Sequence, residues 1–139
     1  RKNSDDLRRA KEIYEGFSQF LSDVDLAFVE VPVGSQSARS MTSYGICVGL
    51  LASVQIPLIQ VTPNEVKLAS VGSKTASKAE MIKWAISLYS DANWLTQRRG
   101  GRDVVTSKNE HLADAVAAVY AGMKTDTYKQ LLAFNKRIA

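Results

Sequence analysis

Little in this chain speaks for cross-linking by covalent bonds or soft metals. Its 139 residues include one cysteine, Cys47, one histidine, His111, and three prolines. A lone cysteine excludes a disulfide framework and fits a reducing compartment, which places the protein inside the cell. One histidine and one cysteine cannot furnish a tetrahedral zinc site without enlisting carboxylates. No apolar run approaches the roughly 20 residues that a membrane span requires, and "RKNSDDLRR" at the N-terminus has no signal-peptide core behind it, so no membrane role is expected. There is no Walker or dinucleotide glycine pattern, no elbow motif to present a serine for Ser–His–Asp chemistry, and no internal repeat.

What is present is the make-up of one globular domain over residues 1–139. Hydrophobic residues make up 45% and charged residues 23%, enough for a core and too apolar for disorder. The net charge of +4 points to an anionic partner only where the cations gather.

Apolar periodicity organises the chain. Leu7, Ala10, Ile13, Tyr14, Phe17 and Leu21 recur at three and four residues, predicting an amphipathic helix from Ser4. "LAFVEV", Leu26 to Val31, is a short continuous run, expected as a strand buried on both faces and ended by Pro32 and Gly34. Ser37 to Val54 is small or apolar on most sides, with Gly45 and Gly49 on one face where another backbone can approach, so a helix buried in the domain and against a partner is expected. "IPLIQV", Ile56 to Val61, is the second strand. "TPNE" then opens a short helix to about Ser70 through a capping box of Thr62 and Glu65 with Pro63 at the first helical position.

Gly72 ends that helix, and Ser77 with Glu80 opens another whose buried stripe is Ile82, Ala85, Ile86 and Tyr89. Asn93 to Thr106, containing "RRGGR", reads as a basic loop. Ser107 and Glu110 suggest a third capping box before the helix "EHLADAVAAVYAG", and Asp126 to Ile138 is a basic helix. The order α, β, α, β, then four helices implies a parallel strand pair with a crossover, hence the α/β class. Two strands make a poor sheet, so further strands are expected outside these residues.

Two acids stand in costly places. Asp114 lies past the first turn of an alanine-rich helix, where the helix dipole helps little, with His111 and Glu110 three and four residues before it. Glu30 ends an otherwise apolar strand, at the end where α/β sheets bind ligands. Each has an ordinary account as well: a strand end or helix face turned to solvent, and for Glu110 the closing of a capping box. Brought together, Glu30, His111 and Asp114 form an oxygen-rich set suited to Mg²⁺ or Mn²⁺. Two such ions about 4 Å apart are a common solution for phosphodiester hydrolysis. Lys67, Lys74, Lys78, Arg98, Arg99 and Arg102 occupy connections and helix starts where they can meet phosphates; singly each is an ordinary solvated cation.

In this order the segments resemble the RuvC-like Holliday junction resolvases of the RNase H-like superfamily. "DLAFVEVP" is similar to the family's strand ending in an acid. "IPLIQVTPNEVKLASVGSKTASKAEMIKWA" is similar to its strand, Val-Lys element, glycine and lysine-bearing helix, and "HLADAVAAVYAG" to its closing acidic helix. The resemblance implies an RNase H-like fold and a metal-dependent endonuclease that cuts branched DNA in pairs. Glu30, His111 and Asp114 would be metal ligands and catalytic residues, with Lys67, Lys74 and Lys78 on the DNA face. It also implies a homodimer through the Ser37 to Val54 helix. The family's first catalytic aspartate lies on an N-terminal strand that begins a three-strand meander, and these residues start at the helix after it, so the domain is expected to be N-terminally incomplete. Pro32 and Val33 follow Glu30 where some members use an aromatic wedge. Two other readings stay open: an inactive RNase H-like protein that binds branched DNA or scaffolds a complex, and a superfamily nuclease for flaps or RNA–DNA hybrids. The preferred DNA sequence and any helicase partner do not follow from the residues.

Overall fold

In the computed structural model, residues 2–31 and 37–138 are described. The elements are α1 (Lys2–Leu21), β1 (Ala27–Glu30), α2 (Ala38–Ala52), β2 (Leu58–Val61), α3 (Pro63–Ser70), α4 (Lys78–Leu88), β3 (Thr96–Arg99), β4 (Arg102–Val105), a 3₁₀ turn at Ser107–Asn109, α5 (Glu110–Met123) and α6 (Asp126–Ile138). The class is mixed α/β with helices dominant and two small sheets, β1 with β2 and β3 with β4. No helix among the described residues is long and apolar enough to cross a membrane. The chain divides into two compact units: residues 1–27 with 31–58, and residues 28–30 with 59–139.

In the first unit α1 packs on α2, and Arg39 Nη2 pairs with Asp6 Oδ1 at 3.2 Å. The expected burial does not follow. Leu7 is 74% exposed, and Ile13 and Tyr14 about half. α2 has no buried residue, and a Cβ added at Gly45 or Gly49 meets no atom within 4 Å. The small, apolar α2 is an open face of this unit, not a helix sunk in the domain. The strand readings also contract: β1 is half-buried along its length instead of buried on both faces. The expected Pro32 and Gly34 stop and the Pro32–Val33 departure lie outside the described residues.

The second unit contains the core. α5 turns a face of Ala113, Ala117, Ala118 and Ala121 onto α3 and α4, where Val66, Met81 and Ala85 are almost wholly enclosed. Methyl-sized side chains let the helix axes come close, and the larger Met81 and Val66 fill the space left. Each of those two contributes roughly 1.5–3 kcal/mol of burial. Both helix starts read from sequence form as expected. In α3, Glu65 N–H donates to Thr62 Oγ1 (3.3 Å) and Thr62 N–H to Glu65 Oε2 (2.7 Å). In α4, Glu80 N–H donates to Ser77 Oγ (3.3 Å) and Ser77 N–H to Glu80 Oε2 (2.8 Å). Gly72 ends the first with φ +80°. The α4 stripe shifts by a residue: Met81 joins Ile82 and Ala85 inside, whereas Tyr89 is exposed and caps the helix end.

Two expectations fail near residue 100. The basic loop is a β-hairpin, with Thr96 opposite Val105, Gln97 opposite Val104, Arg98 opposite Asp103 and Arg99 opposite Arg102. Gly100 and Gly101 both take positive φ, +54° and +79°, which is the two-residue turn whose twist suits a hairpin. The third capping box does not form either. α5 starts from Asn109 with no side-chain cap, since the Asn109 side chain is turned to Leu95 and Thr106, and the Glu110 carboxylate meets Lys78 instead of Ser107.

Candidate functional site

β1 and α5 bring the two unexplained acids together. Side chains alternate along a strand, so Phe28 and Glu30 share a face. On α5, Asp114, Ala118 and Gly122 follow one another at four-residue spacing on one stripe. The Phe28 ring occupies the place where a Cβ of Gly122 would stand, and its other side meets Tyr128 of α6 edge-on, with centroids 5.3 Å apart. Seating Phe28 on Gly122 directs Glu30 along the helix toward Asp114.

Electrostatics register the meeting. Burial pushes the Glu30 carboxyl above its ordinary range, the negative charge of Asp114 pushes it further, and Lys67 opposes. Asp114 is likewise raised, first by burial and then by Glu110, against His111, Lys78 and Lys67. Both side chains are partly buried, and neither has a hydrogen bond or ion pair among the described residues, whereas Glu65, Glu80 and Glu110 are held by such contacts. Two adjacent carboxylates, desolvated and unpartnered, hold charge at a cost that a cation between them would remove.

Beside them lies a second group. Lys78 Nζ pairs with Glu110 Oε2 at 2.5 Å, and this contact holds the Glu110 carboxyl below its ordinary range. His111 Nε2 stands 3.6 Å from Glu110 Oε1 and is 84% exposed. The structure therefore pairs Glu30 with Asp114, and sets His111 at the solvent side with Glu110. Among the described residues no group of three or more His, Cys, Asp and Glu side chains is close enough to hold a metal. The two carboxylates, both hard oxygen donors, match Mg²⁺ or Mn²⁺ in chemistry.

The cations fall in two places. Lys67, half-buried on α3, acts on both acids, and Lys78 begins α4 beside Glu110. Lys74 is exposed in the turn before α4, while Arg98, Arg99 and Arg102 are exposed on the hairpin. A separate apolar groove of about 470 Å³ follows the outer face of α5, between Leu112, Val116 and Val119 and the aromatic residues Tyr89, Trp94 and Tyr120.

One residue of consequence has no signal in the sequence. Asn109 is wholly buried and bonds across the hairpin base: Leu95 N–H donates to its Oδ1 (2.8 Å), and its Nδ2 donates to the carbonyls of Leu95 (2.8 Å) and Thr106 (2.9 Å). It ties the hairpin to the start of the helix that carries Asp114. Before a helix, an asparagine reads as an ordinary cap; only the fold shows its side chain turned inward. Compared with known proteins, the sequence matches no protein-family model and no curated protein.

Proposed function

We propose that this chain is an RNase H-like domain of the RuvC-like class, a metal-dependent, structure-selective DNA endonuclease that resolves four-way junctions by paired phosphodiester hydrolysis. The observation that carries the reading is the juxtaposition of Glu30 and Asp114, two strand-end and mid-helix acids left without partners. Glu30 and Asp114 would hold the Mg²⁺ or Mn²⁺, two ions per site in such enzymes, and His111, which stands beside Glu110 at the rim, would have to turn inward to serve as a third ligand. Bound divalent metal supplies an activated water and neutralises charge on the phosphate under attack. Lys67, partly buried beside both acids, orients the incoming phosphate by charge, and Lys78 does so from the rim when it exchanges Glu110 for DNA. The RuvC-like reading calls for one more carboxylate, on a strand that these 139 residues do not include.

Pairing of the two cuts follows from a homodimer. The exposed α2, apolar and without a buried residue among those described, is the face proposed to meet its copy, with Gly45 and Gly49 allowing close backbone approach. Such an enzyme works inside the cell on DNA.

The test is direct. Purified protein with Mg²⁺ and a synthetic four-way junction should give paired nicks that disappear in Glu30→Gln and Asp114→Asn. Binding without cleavage would instead support a branched-DNA scaffold. Faster cleavage of a flap or an RNA–DNA hybrid than of the junction would move the substrate to another nuclease of the superfamily.

A further inference from the structure

The hairpin β3–β4 opposes two like charges. Arg99 faces Arg102 directly across the strands next to the turn, an arrangement that destabilises a two-stranded ribbon in isolation. Neither forms an ion pair among the described residues, although Arg8, Arg39 and Lys78 do. Arg98 faces the acidic Asp103 across the strands instead, so its charge is not set against a like charge.

Alternation along the strands puts Gln97, Arg99, Arg102 and Val104 on one face of the ribbon and Thr96, Arg98, Asp103 and Val105 on the other. A groove of about 510 Å³ runs along the hairpin to its base, lined by Gln97, Arg99 and Val104 of the first face, by Thr96 and Val105 of the other, and by Ser107 and Lys108. The first face thus carries Arg99 and Arg102 near the tip and no acid, and exposed Lys108 follows at the base of the hairpin on the groove that Arg99 also lines.

The ribbon is fixed at its root. Thr106 N–H donates to the Leu95 carbonyl at 3.0 Å, and the buried Asn109 closes the same two strands onto the start of α5. From Leu95 to Gly100 an extended strand covers roughly 16 Å, about five steps of a DNA strand at its ~3.4 Å rise. A two-stranded ribbon also fits the ~12 Å width of the DNA major groove.

We propose that this ribbon is a backbone clamp for one duplex arm of the DNA. Arg99 and Arg102 close on a phosphate between them, Lys108 holds a second nearer the base, and Arg98 is not part of the contact. An anion between Arg99 and Arg102 offsets their repulsion, so the clamp recognises phosphate and not base sequence. The inference rests on the nucleic-acid reading above and adds which cations grip, on which face, and at what distance from the anchored end of α5.

Equilibrium binding of labelled four-way junction and labelled linear duplex, followed by anisotropy in chelator from 50 to 200 mM KCl, tests it without any cleavage. The double variant Arg99→Gln/Arg102→Gln is expected to bind both DNAs at least about tenfold more weakly, with the slope of log affinity against log salt reduced by about 1, for the single phosphate the two arginines share. Lys108→Gln should reduce the slope by about 1, and Arg98→Gln should leave it unchanged. Melting temperatures of the variants should equal or exceed that of the parent, which separates lost contacts from lost folding. The clamp is overturned if the parent binds DNA and the double variant binds equally well, or if Arg98→Gln costs as much as Arg99→Gln. If the parent binds neither DNA, the nucleic-acid reading falls and the clamp with it.

Discussion

Gly122 of α5 and Phe28 of β1 compete for one volume: a Cβ on Gly122 would stand 2.6 Å from Cγ of the Phe28 ring. This contact seats the strand on the helix, and the two proposed metal-binding acids occupy the same strand face and helix stripe a short way along.

Gly122→Ala should therefore cost about 1–3 kcal/mol through overpacking, although alanine is the better helix former. The melting temperature should fall by several degrees. The proposed metal-dependent cleavage should fall further than stability alone explains, since Glu30 moves with Phe28. Adding Phe28→Ala should relieve the clash without restoring full stability, because the aromatic contact with Tyr128 is lost. Thermal denaturation and cleavage assays of the three variants check this.

Neutralising the acid pair is expected to separate stability from function. In chelator, Glu30→Gln and Asp114→Asn should melt at or above the parent temperature, because each removes a desolvated charge facing another. With Mg²⁺ the parent should gain thermal stability by mass action, and both variants should lose that gain together with cleavage. A metal-free melting temperature well below the parent's would show that the carboxylates serve the fold.

The pH dependence of stability has a definite sign. Glu30 and Asp114 have raised pKa values, so the native state holds more protons than the unfolded chain between the ordinary carboxylate range and the raised values. Their ionised forms cost stability above that window, and acidification through it relieves the cost. Glu65, Glu80 and Glu110 are shifted down, so the stability they contribute is present above about pH 4 and lost as pH falls through their lowered values. Metal-free melting should thus rise on mild acidification and fall on stronger acidification. In Glu30→Gln/Asp114→Asn the first rise should be absent, and in the parent Mg²⁺ should suppress it.

Asn109→Ala should be among the most damaging single changes, at about 2–4 kcal/mol, because it strips three buried hydrogen bonds and leaves the Leu95 and Thr106 backbone groups without that partner. Amide exchange should accelerate at Leu95 and Thr106 before the α3–α5 core. Equal acceleration in both places would show that the hairpin and core open as one.

On α2, Gly49→Leu tests the proposed dimer. No atom lies within 4 Å of the position a Cβ would take, so the folded chain tolerates the change, while a close contact between copies does not. Sedimentation should show the parent as a dimer and the variant as a folded monomer.

Local chemistry was readable directly. The Thr62–Glu65 and Ser77–Glu80 boxes form because every partner lies within four residues, and such short-range hydrogen bonds depend little on the rest of the fold. Spacing alone also singled out Asp114 and Glu30 as acids in costly places. The hairpin was not legible: Gly100 and Gly101 between arginines are a turn signal, but the flanking strands are too polar to show alternation, and the segment read as a loop.

Distance in sequence hid the rest. Glu110 looked like a cap because Ser107 stands three residues before it, yet Lys78, 32 positions away, offers a full charge and takes the carboxylate instead. Asn109 reads as an ordinary polar residue until the strand ends at Leu95 and Thr106 close around it. The apolar stripe of α1 foretold burial that the fold leaves incomplete, since periodicity defines a face but not what covers it. That Glu30 and Asp114 meet, 84 residues apart, rests on a ring packed over one glycine, and no local pattern encodes a contact of that kind.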